Sequence, residues 1–408
     1  MSGIGELIEK FCPKGVEFQS LADIFEMRNG YTPSKADVSN WTNGTIPWFR
    51  MEDIRENGRI LDDAIQHIPA SAVKGGRLFP ANSIILATSA TIGEHALITI
   101  PFMSNQRFTA LWPKPNFVRL FDMKFVFYYC FVLDEWCRSN ITTSSFAAVD
   151  MSAFKHFKFP IPPLEVQQEI VRILDTFTEL EAELEAELEA RRRQYAHYRD
   201  SLLLFGADWP MVPMGDVAEV RSGWGFPNSD QGKSEGDFPF YKVSDMNLLG
   251  NETVMNVANN YISEAIAQKL GVKAAPAGTI IFPKIGAAVA TNKKRQLSMA
   301  SAYDNNVMGL IPGPQISSRF LYYWMQTFDL TRLAHDSGAV PSIRKSEAEQ
   351  ALVPLPPRVE QDRIVSILDK FDALVNDLSI GLPAELTARR KQYEYYRDKL
   401  LTFEEALV

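Results

Sequence analysis

The chain has 408 residues and only three cysteines, Cys12, Cys130 and Cys137, at irregular spacings that argue against a disulfide framework and against a zinc site. Histidine is scarce as well: His67, His95, His156, His197 and His335 are scattered without metal-ligand spacing. No uninterrupted apolar run reaches the length of about 18 residues that marks a membrane-spanning helix, and no cleavable leader is evident, so a soluble cytoplasmic chain with no membrane partner is expected. There is no Gly-x-x-x-x-Gly-Lys-Ser/Thr loop, and Gly286, in Lys284-Ile-Gly-Ala-Ala, reads as a turn glycine. Amino-group DNA methylation uses Asn/Asp-Pro-Pro-aromatic, but here Pro162 and Pro163 follow Ile161, and Pro356 and Pro357 follow Leu355. No catalytic residue, metal or cofactor is therefore expected in this chain.

Excess positive charge is also missing, since the formal net charge is −8. The deficit is local. Residues 161–190 hold nine acidic groups against Arg172 alone, which accounts for all of it and leaves the rest of the chain formally neutral. Acidity confined to one helix surface does not exclude a nucleic-acid partner.

What the chain does have is a duplication. PIPPLEVQQEIVRILDTFT at 160–178 is answered by PLPPRVEQDRIVSILDKFD at 354–372, and ARRRQYAHYRDSLLLF at 190–205 by ARRKQYEYYRDKLLTF at 388–403. In the first copy Val166, Ile170, Ile173, Phe177, Leu180, Leu184, Leu188, Tyr195, Tyr198, Leu202 and Phe205 recur at helical spacing, with Arg191 filling the gap before Tyr195. In the second copy Ile364, Ile367, Phe371, Leu374, Leu378, Leu382, Leu386, Tyr393, Tyr396, Leu400 and Phe403 do the same. The steps of three and four predict helices of coiled-coil type, about 60 Å long if continuous for forty residues. Gly381 and Pro383 predict a kink or restart near Leu382.

The globular halves repeat more faintly. DIFEMRNG at 23–30 matches DVAEVRSG at 216–223, IPWFRMED at 46–53 matches FPFYKVSD at 238–245, and Asn105-Gln106-Arg107 falls near Asp304-Asn305-Asn306. Arg28 and Arg221 are equivalent, which implies a shared task such as phosphate anchoring or a domain salt bridge. Tyr31 and Trp224 follow the paired glycines, either facing a ligand or capping the core.

These motifs resemble the specificity subunit of type I restriction–modification systems over essentially the whole chain. The proline-to-tyrosine helical regions, with GLPAEL at 381–386, carry the resemblance most specifically. It implies an α+β chain of two pseudo-repeated mixed α/β target-recognition domains joined by two long antiparallel coiled-coil helices. The expected division is 1–160, a recognition domain with an N-terminal arm near the end of the second helix; 161–206, a helical spacer; 207–354, a second recognition domain; and 355–408, a second spacer. The resemblance further implies double-stranded DNA as ligand, read as a bipartite asymmetric target. Its partners would be two modification subunits using S-adenosylmethionine for adenine methylation, and restriction subunits using ATP and Mg2+.

Recognition requires Lys and Arg toward phosphates and Arg, Lys, Asn or Gln toward base edges. Lys293, Lys294 and Arg295, with Lys284 nearby in sequence, form the sharpest cluster, read either as a DNA-facing loop or as a solvated turn. Arg344 and Lys345 form a second, which could instead position the following helix. The first domain offers Arg50, Asn105 and Arg107, with Arg107 the preferred base reader and a core or structural use its alternative, alongside Arg55, Arg59, Lys74 and Arg77. Residues 181–184 and 185–188 repeat EAEL, the unit whose number is expected to set half-site spacing. The competing reading is a coiled-coil scaffold whose globular halves bind protein.

Overall fold

The computed structural model describes residues 10–142, 147–204, 209–335, 341–376 and 380–406. It divides into two units, Met1–Glu181 with Arg389–Val408, and Ala182–Ala388. The division runs through the helical repeats because each globular domain packs against helix segments from both copies.

In the first unit the strands lie in the order Phe25–Asn29, Phe108–Pro113, Ser83–Ala87, His95–Ile98, Ile60–Leu61, antiparallel except for the last pair. Ser83–Ala87 is buried throughout. Successive side chains on a strand face opposite ways, and here both faces are covered. Ile84 and Leu86 enter the core under helix α1 (Met123–Ser139), while Ile85 and Ala87 enter a second core with Trp48, Phe49 and Phe102. That explains an uninterrupted apolar run in a central strand. A small sheet, His67–Ile68, Ile46–Phe49 and Met103–Ser104, floors the second core.

The second unit uses the same order: Ala218–Ser222, Val307–Pro312, Ile280–Pro283, Arg295–Leu297, Val254–Met255, again with only the last pair parallel. Its small sheet is Tyr261–Ile262, Phe238–Tyr241 and Ala302–Tyr303.

The long helix α2 (Leu164–Leu204) is continuous over 41 residues. In the second unit α3 (Ser318–Thr327) takes the place of α1. The second helical repeat is broken as Gly381 and Pro383 predict, into α4 (Arg358–Asn376) and α5 (Leu382–Leu400). No helix among the described residues is long and apolar enough to cross a membrane.

Two buried glutamines fix each domain to its helix. Gln167 donates through Nε2 to the carbonyls of Leu120 and Pro162, both at 2.7 Å, and accepts from the Asp122 amide at 2.9 Å. Gln361 donates to the carbonyls of Gln315 and Pro356 at 3.1 and 2.9 Å, and accepts from the Ser317 amide at 2.7 Å. About two turns further on, Asp175 takes hydrogen bonds from Lys124 and Tyr128, both at 2.7 Å. Asp369 takes them from Arg319 at 2.6 Å and Tyr323 at 2.5 Å.

Within the first unit Phe177 of α2 stacks on Tyr396 of α5, ring centroids 5.5 Å apart, and Arg390 bonds Glu181 at 2.6 Å. Within the second, Tyr198 of α2 stacks on Phe371 of α4 at 5.3 Å, Tyr195 lies at 6.5 Å from the same ring, and Leu184 and Leu188 pack in one cluster with Leu382 and Leu386. Ile170, Leu188, Tyr195, Ile364 and Leu386 are buried; Phe177, Leu184, Phe371, Tyr393 and Tyr396 are half-buried. The expected stripe needs correction at Leu180, Tyr198 and Leu374, which are exposed, Tyr198 despite its stacking. Burial goes instead to Val171, Leu174, Leu368 and Val375, because α2 and α4 also turn a face toward their own domain. Leu378 lies outside the described residues.

Candidate nucleic-acid interface

The strand Phe25–Asn29 ends at Gly30, where the chain passes so close to a neighbouring turn that an added Cβ would collide with the carbonyl oxygen of Asn105. Gly223 stands in the same relation to the carbonyl of Asp304. Only glycine permits such an approach. The following residues are then held to the small sheet, Tyr31 N–H donating to Ser104 O at 2.7 Å and Trp224 N–H to Tyr303 O at 3.0 Å.

The neighbouring turn links the small sheet to the large one. In the first unit the Asn105 side-chain oxygen accepts from the Arg107 amide at 3.0 Å, which closes the turn and leaves Gln106 and Arg107 exposed. In the second unit the Asp304 carboxylate accepts from the Asn306 amide, also at 3.0 Å, with Asn305 and Asn306 exposed. One backbone thus displays Gln and Arg in one unit and two Asn in the other, residue types whose chemistry suits hydrogen bonding to base edges.

Around the first turn Thr32 Oγ1 donates to Gln106 Oε1, and the Lys74 ammonium sits 5.5 Å from the centre of the Tyr31 ring. Around the second, Lys242 donates to Gln231 Oε1 at 2.5 Å and faces the Phe226 ring. The Asp304 carboxyl is pushed up by burial, an effect that hydrogen bonds from Asn306 oppose. Nearby, burial lowers the Lys284 ammonium, against the pull of Asp304. The result in each unit is a polar rim with cationic, carboxamide and aromatic groups around a fixed turn. Among the described residues no group of His, Cys, Asp and Glu could hold a metal ion.

A family model for the type I restriction modification DNA specificity domain matches residues 13–190 and again 206–388, once on each repeat. The chain belongs to the type I restriction–modification specificity-subunit family. It is 39% identical over 378 residues to the type I restriction enzyme EcoprrI specificity subunit of Escherichia coli, covering 89% of each chain. It is 33% identical over 302 residues to the EcoR124I/EcoR124II specificity subunit of Escherichia coli, covering 69% of this chain and 71% of that one. A chain solved in work on complex assembly and conformational transition of the type I R-M system shares the fold, with TM-score 0.63, 18% identity, and coverage of 95% of this chain and 98% of that one. This specificity subunit is a non-catalytic member of such a system.

In this specificity subunit Asn105 and Arg107 lie together at the first rim, and no hydrogen bond or ion pair engages the Arg107 guanidinium among the described residues. Lys284 lies by the second rim, its amide donating to Asn306 O at 2.9 Å. The charged triplet is not an exposed patch. Lys294 is fully buried, its ammonium spent on Asn292 Oδ1 at 2.6 Å and Phe328 O at 2.5 Å, because it leads into the inner strand Arg295–Leu297. Arg295 turns onto the carbonyls of Lys294 and Met246 at 2.9 and 3.4 Å, and burial lowers its pKa. Lys293 keeps partial exposure and bonds Asn247.

Arg28 and Arg221 are half-buried and engaged within the chain. Arg28 donates to Arg77 O at 2.9 Å with its guanidinium 4.2 Å from the Phe79 ring centre, and Arg221 donates to Lys273 O at 3.2 Å while chelating Glu219. Arg50 and Lys242 occupy equivalent positions, their amides bonding Asp53 and Asp245 at 2.6 and 2.7 Å; the Arg50 Nε is buried without a hydrogen bond. The Arg344 amide bonds Glu347 at 3.0 Å at the start of a short helix, and Lys345 pairs with Glu349 at 3.5 Å. Gln167, Gln361, Asp175 and Asp369 were not singled out from sequence, although each pair falls on matched letters of the repeat.

Proposed function

We propose that this specificity subunit reads a bipartite, asymmetric duplex target, one half-site per unit, and directs adenine methylation by two modification subunits and cleavage by restriction subunits. The observation that carries the reading is the duplicated turn, one backbone bearing Asn-Gln-Arg in one unit and Asp-Asn-Asn in the other. A pair of heads with shared scaffolding and unlike side chains suits two unlike half-sites better than it suits a scaffold for protein partners.

In this reading the segments 161–206 and 355–408 pair as an antiparallel coiled coil between recognition domains 1–160 and 207–354, with pseudo-twofold symmetry. The stacking of Phe177 on Tyr396 and of Tyr198 on Phe371 supports it, each within its own unit. S-adenosylmethionine, ATP and Mg2+ then act on partner subunits. The helical pair sets the gap between half-sites. One EAEL unit adds about 6 Å of helix, close to two base-pair steps of about 3.4 Å. Deletion of residues 185–188 is expected to shorten the preferred gap and leave both half-sites unchanged, as read by methylation mapping of the assembled complex. Altered half-sites with the old gap would reject the ruler. A complex that selects no sequence from randomised duplexes would favour the protein-binding alternative.

A further inference from the structure

Arg28 and Arg221 are equivalent in sequence, and each guanidinium donates to one backbone carbonyl, that of Arg77 or of Lys273. The register shows that these two carbonyls are themselves equivalent. Phe79 pairs with Phe102 by an isolated bridge, and Ala275 pairs with Ser301 by another of the same sense, with amide-to-carbonyl distances of 2.8 Å in both cases. Arg77 lies two residues before the first bridge and Lys273 two residues before the second. Each follows a turn through a left-handed glycine, Gly75 at φ 70° and Gly271 at φ 65°.

Both side chains are exposed, and neither makes a hydrogen bond or ion pair among the described residues. The surroundings differ in how charge is balanced. Arg28 has no carboxylate partner among the described residues; its guanidinium rests on Phe79, and its pKa is lowered by burial and by the nearby Arg77 charge. In the second unit Ala275 replaces that ring, and Glu219 neutralises Arg221 at 2.7 Å, which leaves Lys273 as the unbalanced cation. Both cations adjoin the rim already described. Lys74, three residues before Arg77, faces Tyr31, and Val272, next to Lys273, packs in one cluster with Trp224.

We infer that Arg77 and Lys273 are matched contacts to the DNA phosphate backbone, one in each unit, and that Arg28 and Arg221 are positioning residues that aim them. The inference rests on the DNA-reading function proposed above. A phosphate contact fixes the register of a protein on the duplex and carries no sequence information of its own. This explains how a cation can occupy the same place in two units that read different sequences.

The test uses the full chain assembled with its modification subunits and a salt series of binding to target and non-target duplexes. Arg77→Ala and Lys273→Ala are each expected to weaken both duplexes by roughly three- to tenfold and to lower the slope of log affinity against log salt by about 0.9. The methylated sequence stays the same, and Arg77→Lys keeps the slope. Arg28→Met is expected to reproduce the slope of Arg77→Ala, and the double variant to fall no further, because both act through one contact. An unchanged slope in both alanine variants, with target binding intact, overturns the inference and leaves the functional reading standing. A changed methylation sequence also overturns it, by making these residues base readers. Failure of the wild-type complex to bind any duplex would remove the functional reading, and this inference with it.

Discussion

The first unit and the second solve the same packing problems with the same backbone bonds and with different side chains. Both have a five-stranded sheet in one order, a glycine jammed against a turn, an arginine on a loop carbonyl and a glutamine locking the domain to its helix. They diverge where charge is neutralised or displayed. Lys124 against Asp175 becomes Arg319 against Asp369 and Asp372; His95 against Asp134 gives way to Lys294, the residue that immediately precedes the matching strand. Exposed turn residues diverge most. Bonds made to main chain survive duplication because any residue of the partner segment supplies the carbonyl, whereas side-chain pairs must change together.

The largest expected effect tests the sameness. Gln167→Ala or Gln361→Ala removes a fully buried carboxamide and leaves one amide and two carbonyls without that partner. With a penalty of about 1–3 kcal/mol for an unsatisfied buried group, each should destabilise its own unit by about 2–4 kcal/mol. Calorimetry that follows the two units separately should find the costs within about 1 kcal/mol of each other. A cost confined to one unit would show that the duplicated bonds do not carry equal weight.

The next effect tests the difference. Exchanging Asn105-Gln106-Arg107 with Asp304-Asn305-Asn306 keeps the side-chain oxygen that closes each turn. Folding should therefore be unaffected, while base preference changes at a position in each half-site by about 1–3 kcal/mol. Methylation mapping reads this directly, and unchanged half-sites would place base reading elsewhere on the rims.

Most of the helical architecture was legible in the sequence, since a stripe of Ile, Leu and Tyr at steps of three and four has few other solutions, and Gly381 with Pro383 marked the break before α5. The strand order was not, because short apolar runs such as 83–87 do not name their neighbours. Polar locks were hidden for a different reason. Gln167 and Asp175 sit on a helix rich in acidic and amide residues, so their letters look like solvated surface until the domain that buries them is in place. Lys293, Lys294 and Arg295 failed as a patch because a charge run says nothing about which member begins a strand. The repeat itself held the missing signal: Gln167 with Gln361, and Asp175 with Asp369, match in both copies.

The smallest effect concerns Lys294 and sharpens the contrast with His95. Burial brings the Lys294 ammonium down to about 8 from an ordinary 10.5, with Asp329 opposing and Arg199 adding to the shift. Between those values the unfolded chain holds a proton that the folded unit has released, so stability must rise with pH across that window. Near the upper end buried tyrosines work the other way, because burial raises Tyr241 and Tyr303 and their unfolded forms ionise first. The gain should therefore be sought between about pH 8 and 9.5, as a rising denaturation midpoint of the second unit that Lys294→Met flattens. The first unit, which has a histidine at the matching strand position, should show no Lys294-dependent change. A wild-type midpoint as flat as that of Lys294→Met would mean that Asn292 and the Phe328 carbonyl hold the ammonium charged despite its burial.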